Sequence, residues 1–200
     1  MYAYIKGVMA HLEPAYAVIE AGGIGYHLRI SLTTYSKIKG SDSQVLLHTY
    51  LHVTENAHTL FGFADVLEKQ LFLLLISVSG VGPGTAMMAL SSLSAAELQQ
   101  AIAREDSRTI QAIKGLGAKT AQRLIIELKD KIRKEELMSS SSTGTASTTL
   151  GNNITEQALS ALITLGIPKP TAEKTIETVL KAETGPISLE DLIKKALKSK

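Results

Sequence analysis

The sequence predicts a multi-domain α+β protein: an N-terminal OB-fold β-barrel, a central all-α domain of tandem helix-hairpin-helix units, and a C-terminal three-helix bundle. Three observations predict it. Apolar residues alternate with period 2 as far as about residue 63 and follow a helical period from Asp65 onward. Two stretches, Ser79-Gly80-Val81-Gly82-Pro83-Gly84-Thr85-Ala86 and Lys114-Gly115-Leu116-Gly117-Ala118-Lys119-Thr120-Ala121, each place Gly-apolar-Gly between two helical runs, with the first glycines 35 positions apart. Met138 to Asn153 carries no charge and is rich in Ser and Thr. The expected divisions are 1–64 for the barrel, 65–138 for the hairpin domain, 139–153 for a flexible linker and 154–200 for the bundle.

In the barrel segment, Tyr26, Leu28 and Ile30 alternate with His27, Arg29 and Ser31, and Leu47, Thr49, Leu51 and Val53 alternate with His48, Tyr50 and His52. This is the pattern of half-buried strands. Gly22-Gly23 is a hairpin turn between Ala15–Ala21 and Ile24–Ser31, and Thr33 to Lys39 reads as a short helical connection. About five strands with one such helix suggest a small OB-like barrel. All five histidines (His11, His27, His48, His52, His58) fall here. His48 and His52 would lie roughly 13 Å apart at ~3.3 Å per residue, too far to share one ion.

From Val66 to Val78 the chain is apolar nearly all round, as in a helix buried between layers or subunits. After the first Gly stretch a short helix covers Thr85 to Leu93. Ser94-Ala95-Ala96-Glu97 is a capping box, Ser107 starts another short helix, and a long helix runs from Thr120 to about Leu137. The linker, at about 14 residues, gives a tether of about 20 Å. Beyond it, three helices are bounded by Asn153, Gly166, Pro170 or Thr171, Gly185-Pro186 and Ser188. So small a bundle reads as an adaptor.

Composition excludes more than it selects. A chain of 200 residues with 44% hydrophobic content can build real cores. Zero cysteines remove disulfides, thiolate catalysis and cysteine-bound metals. No signal-like apolar run opens the chain, and the longest, Leu71 to Ile76, is too short to span a bilayer, so a cytosolic protein is expected, with no membrane partner. Net charge is only +2, so any basic surface must be local; Lys114, Lys119 and Arg123 form an acid-free run across the second Gly stretch.

A single Gly-x-Gly at a helix junction is usually an ordinary tight turn. Two copies, each with Thr-Ala at the start of the second helix, point to a grip on the DNA backbone, because helix N-termini offer free N–H groups to phosphate oxygens. The candidate contacts are the backbone around Gly80, Gly82, Gly84, Gly115 and Gly117, with Thr85, Lys114, Lys119, Thr120 and Arg123. Neither copy has the Gly-Lys-Ser/Thr of a nucleotide-binding P-loop, and neither follows a parallel strand. Two rivals remain at this point. A helix-hairpin-helix glycosylase or nuclease module would need a catalytic group over a base pocket or a metal-ligand cluster. An RNA-binding OB module would need exposed aromatic residues, whereas 4% of the chain is aromatic and most barrel tyrosines can be core.

The Ile24-Gly25-Tyr26 and Leu60-Phe61-Gly62-Phe63 segments, both Gly hairpins, Ile125-Ile126-Glu127-Leu128-Lys129-Asp130, the linker and the start near Ala161 together resemble the RuvA family of Holliday-junction-binding subunits over nearly the whole chain. The resemblance implies a non-catalytic protein without cofactors that acts in recombination and DNA repair. It implies a tetramer or octamer that holds a four-way junction open and planar, the hexameric ATPase RuvB as partner on the mobile third domain, and the resolvase RuvC as a further partner. Leu162, Leu165, Ile167 and Leu197 are the expected RuvB-binding patch. The family's acidic pin falls on Val53 to His58, where Glu55 keeps the first acid and Asn56 replaces the second. Gly84 and Ala118 stand where relatives often carry Lys, so backbone N–H groups and Lys119 are expected to bear more of the grip.

Overall fold

A computed structural model of the chain describes residues 2–41, 44–140, 150–182 and 187–198, and it divides into two compact units, Met1–Ser141 and Ser142–Lys200. In the first unit the period-2 stretches form β1 (Tyr4–Glu13), β2 (Tyr16–Ala21), β3 (Ile24–Arg29), β4 (Gln44–Val53) and β5 (His58–Phe63). They close into a barrel in the order β1-β2-β3-β5-β4, antiparallel except for β3 beside β5. Closure falls on β1, which pairs with β4 from Tyr4 to Val8 and with β2 from Val8 to Glu13, with a register shift between Met9 and His11. Gly7 stands at this crossing, where a Cβ would meet the Glu20 carbonyl oxygen at 2.0 Å; no side chain fits. Ile5, Ile19, Leu28, Val45 and Leu47 fill the interior.

The tyrosines that the sequence allows in the core only border it. None of the six is buried: Tyr26 and Tyr35 lean on the barrel core while remaining half-exposed, and Tyr2 and Tyr4 lie at the surface. The phenol gains hydration at its O–H while its ring covers apolar neighbours.

Helix α1 (Leu32–Ile38) leads from β3 to β4, and α2 (Val66–Ile76) follows β5. Phe72 of α2 packs on Phe61 and Phe63, with ring centroids at 5.2 and 4.9 Å, so the end of β5 belongs to the apolar core of the helical domain, beside the separate core inside the barrel. Two polar clasps fix the barrel against the helices. Ser31 and Thr34 hydroxyls donate to the two oxygens of buried Glu68 (2.7 Å from Thr34), and Thr34 Oγ1 also accepts from the Ala64 N–H. Burial pushes the Glu68 carboxyl above its ordinary range, against the opposing pull of those hydroxyls. The second clasp joins α1 to α3 (Pro83–Ser92): the Leu32 N–H donates to Ser91 Oγ at 3.1 Å, and the Thr33 hydroxyl to the Leu90 carbonyl at 2.8 Å.

The remaining helices of the unit are α4 (Ala95–Ala103), α5 (Ser107–Gln111) and α6 (Ala118–Ser140). Both halves of the Ser94–Glu97 capping box form, at 2.8 and 3.3 Å. The α4–α5 turn holds Glu105 at φ 58, and its carboxylate pairs with Lys129 of α6.

In the second unit, α7 (Leu150–Thr164), α8 (Lys169–Ala182) and α9 (Leu189–Lys198) pack around Ala158, Leu162, Ala172, Ile176, Val179, Leu192 and Ala196. Gly166 ends α7 at φ +90, with the Ile167 N–H returning to the Leu162 carbonyl at 3.0 Å. Ser188 caps α9, accepting from the Asp191 N–H at 3.1 Å. The Gly185-Pro186 stop and residues 141–149 of the expected linker lie outside the described residues. Residues 139–140 and 150–153, also assigned to that linker, are helical, as the last residues of α6 and the first of α7.

Candidate nucleic-acid interface

The two Gly stretches fold alike at the 35-residue offset. Each begins with a tight turn, Val81 N–H to the Val78 carbonyl (3.0 Å) and Leu116 N–H to the Ile113 carbonyl (3.1 Å). Gly80 and Gly115 sit in these turns at φ +91 and +93, a region that L side chains enter only with strain. The apolar middle residues, Val81 and Leu116, are 5% and 4% exposed, which locks each turn to the core. The next glycines start the second helices: the Gly82 carbonyl accepts from the Ala86 N–H at 3.0 Å and the Gly117 carbonyl from the Ala121 N–H at 2.9 Å. The helices match inward too, Ala86, Ala89 and Leu90 corresponding to Ala121, Leu124 and Ile125, all buried.

The hairpins then pack against one another. A Cβ on Gly80 would meet the Thr120 side chain at 3.8 Å, and one on Gly115 would meet Thr85 at 3.5 Å, so each turn rests on the other's threonine. Around Gly82, Gly84 and Gly117 nothing lies within 4 Å of a built Cβ, and all three are exposed. No side chain caps Gly82, so the first-turn N–H groups of α3 point to open space, as helix geometry leaves them without intrahelical partners. Pro83 opens α3 and has no N–H, which leaves the first hairpin one donor fewer than the second, where Ala118, Lys119 and Thr120 all keep theirs. The arrangement presents two positive helix ends side by side, suited to two anionic oxygens.

The predicted cations divide. Lys114 and Lys119 are exposed beside the second hairpin, whereas Arg123 is held by Glu127 on the same helix at 2.6 Å, so part of its charge is already answered. Thr85 and Thr120 are half-buried at the contact between hairpins. Glu55 and Asn56 lie far along the barrel, on the exposed turn from β4 to β5, which the Thr54 N–H closes by donating to the Ala57 carbonyl at 2.9 Å. One set of expected surface residues needs correction: Leu162 is fully buried in the bundle, and Ile167 is half-buried against that core. Leu162 lies on the apolar stripe of α7, whose period does not say which side packs, and Ile167 follows the Gly166 stop, where no period applies. Leu165 and Leu197 are 62% and 51% exposed and remain surface candidates.

Sequence reasoning passed over Arg29. The end of β3 carries this arginine toward α3, where it lines a cleft of about 750 Å³ together with Tyr16, His27, Met88, Gly84 and Lys114. The only sequence signal was a cation on the outward phase of a strand, which most strands carry. Among the described residues no group of three or more His, Asp or Glu is placed to hold a metal ion.

Family models match in the same order as the fold: RuvA N terminal domain at residues 1–62, SAM-like Helix-hairpin-helix tandem at 72–130, and RuvA, C-terminal domain at 153–199. The chain belongs to the RuvA family. It is 52% identical over 198 residues to the Holliday junction branch migration complex subunit RuvA of Cytophaga hutchinsonii, covering 99% of both chains. It is 46% identical over 199 residues to the subunit of the same name from Amoebophilus asiaticus, covering 99% of this chain and all of the other, and 44% over 197 residues to that of Chlorobaculum tepidum, covering 98% and 96%. Membership fits the barrel and the paired hairpins, and no helix among the described residues is long and apolar enough to cross a membrane.

Proposed function

We propose that the chain binds four-way DNA junctions as a tetramer or octamer, holds them open and planar, and couples the RuvB ATPase to branch migration in recombination and repair. The observation that carries this reading is the pair of cross-packed hairpins. Two helix N-termini at fixed spacing grip phosphates on a duplex without reading sequence. In this scheme residues 1–64 assemble the protomers, 65–138 hold one arm, 139–153 tether, and 154–200 engage RuvB through a surface that includes Leu165 and Leu197. Glu55 stands at the junction centre, where a ring of carboxylates repels converging phosphates and keeps separated strands apart; Asn56 leaves that ring with one acid per protomer. RuvC is a further partner at the same junction. The chain itself performs no bond-making chemistry and works in the cytoplasm.

The test is titration of purified protein against a four-way junction and a linear duplex of equal length, with mass measured by light scattering. Preference for the junction, a mass of four or eight chains, and ATP-driven branch migration only when RuvB is added are expected. Equal affinity for the linear duplex, or a junction-bound monomer, would refute the reading.

A further inference from the structure

The barrel itself adds a point of contact that the hairpins do not supply. Arg29 and Lys114 face one cleft from opposite elements, the first at the end of β3 and the second at the start of the second hairpin. Among the described residues no carboxylate lines that cleft. Among the described residues neither cation has an ion-pair partner, whereas Arg123 and Lys129 are both paired. The Tyr16 ring stacks on His27 with centroids 4.7 Å apart and forms the barrel wall of the cleft. The opposite wall is α3, bearing Gly84 and the exposed Met88. The Leu32–Ser91 and Thr33–Leu90 hydrogen bonds fix the two walls relative to each other, so the cations are held ready without reorganisation.

We propose that Arg29 is a third phosphate contact: the duplex backbone that lies on the hairpins continues across this cleft, where the Arg29 guanidinium takes the next phosphate on the side toward the barrel. Gly84 and Lys114 belong to both the hairpin site and the cleft, which makes the two surfaces one continuous track. An arginine suits the task because its planar fork can donate two parallel hydrogen bonds to one phosphate. Met88 and Tyr16 offer apolar surface to the deoxyribose edge between phosphates. The contact gives the chain a grip at the barrel end of the arm, and it supplies cationic charge to a site whose hairpins lack lysine at Gly84 and Ala118. This inference rests on the hairpin reading above and extends it to the barrel.

The experiment compares Arg29→Gln, Arg29→Lys, Arg29→Glu and Lys119→Ala in the full chain, measuring four-way junction affinity across roughly 50–200 mM salt. Unfolding midpoints serve as the folding control. Arg29→Gln is expected to weaken binding about tenfold and flatten the salt dependence by about 0.9 of a logarithmic unit for each contact removed. Arg29→Lys should keep the slope, and Arg29→Glu should weaken binding further. If Lys119→Ala weakens binding while Arg29→Gln leaves affinity and slope unchanged, the barrel contact is overturned and the hairpin reading stands. If neither variant weakens binding, both are overturned. If Arg29→Gln leaves DNA binding intact but abolishes binding of a fluorescent peptide of alternating Asp and Phe, the cleft belongs to an acidic protein segment and the proposal fails.

Discussion

Alanine at Gly80, Gly82, Gly115 and Gly117 in turn separates what the fold requires from what a ligand requires. Gly80 and Gly115 have φ of +91 and +93, so alanine there must bear left-handed backbone strain of about 1–3 kcal/mol. At Gly115 the Cβ would also stand 3.1 Å from Met88 Cε, a contact that the end of this exposed, flexible side chain relieves by a small shift, so the two costs are expected to be similar. Gly82 and Gly117 differ. Gly82 has φ −85, which any residue adopts, and neither position has an atom within 4 Å of a built Cβ. Their alanines lose about 0.5–1 kcal/mol of N-cap preference, alanine being a poor cap, and recover about 0.4–1 kcal/mol through the less flexible unfolded chain. Net stability should change by less than about 0.5 kcal/mol. The methyl nevertheless occupies the open mouth of the hairpin, through which a phosphate oxygen must come within ~2.9 Å of a backbone N–H. Losing one such charge-assisted bond weakens binding by about 1.5–3 kcal/mol, or roughly 10- to 100-fold. Urea unfolding gives the stabilities and fluorescence anisotropy with a labelled four-way junction gives the affinities. If Gly82→Ala and Gly117→Ala fold normally and bind as tightly as the parent, the backbone N–H groups do not grip DNA.

Three further outcomes follow from the packing. Glu68 has its carboxyl pushed above the ordinary 4.5 by burial, so the folded state holds its proton more tightly than the unfolded chain. Its contribution to stability is therefore fully present below 4.5 and lost as pH rises through the raised folded value; Glu68→Gln should flatten that fall in unfolding curves taken across the acid range, and an unchanged pH profile would refute the assignment. Glu105 occupies the left-handed region at φ 58, and relief of that strain in Glu105→Gly outweighs loss of an exposed pair with Lys129, so a gain of about 0.5 kcal/mol is expected in urea unfolding; a loss of that size would contradict it. Leu162→Ala should destabilise the C-terminal bundle by about 2–5 kcal/mol, whereas Leu165→Asp should leave folding intact and weaken ATPase coupling to RuvB. Intact coupling in a folded Leu165→Asp would remove that residue from the partner surface.

The sequence alone determined the elements and their order, because those depend on neighbours in the chain. Alternation along Tyr26 to Ile30, the Ser94–Glu97 box and the glycines that end or begin helices are local signals, and the folded chain shows a strand, a formed cap and tight turns at those places. The repeat at 35 residues is equally legible and marks both hairpins. Tertiary structure decided what depends on residues far apart. Thr85 touches the turn of Gly115 and Thr120 the turn of Gly80, a reciprocity that no spacing rule contains. Leu162 and Leu165 share one apolar stretch, yet one is core and the other surface, because helix packing chooses a single side of α7. Glu68 reads as a solvated helix charge until Ser31 and Thr34 are brought to it by the barrel. Arg29 is one more outward strand residue until α3 and Lys114 face it across a cleft. Periodicity specifies which residues point the same way; only the closed fold specifies what stands opposite.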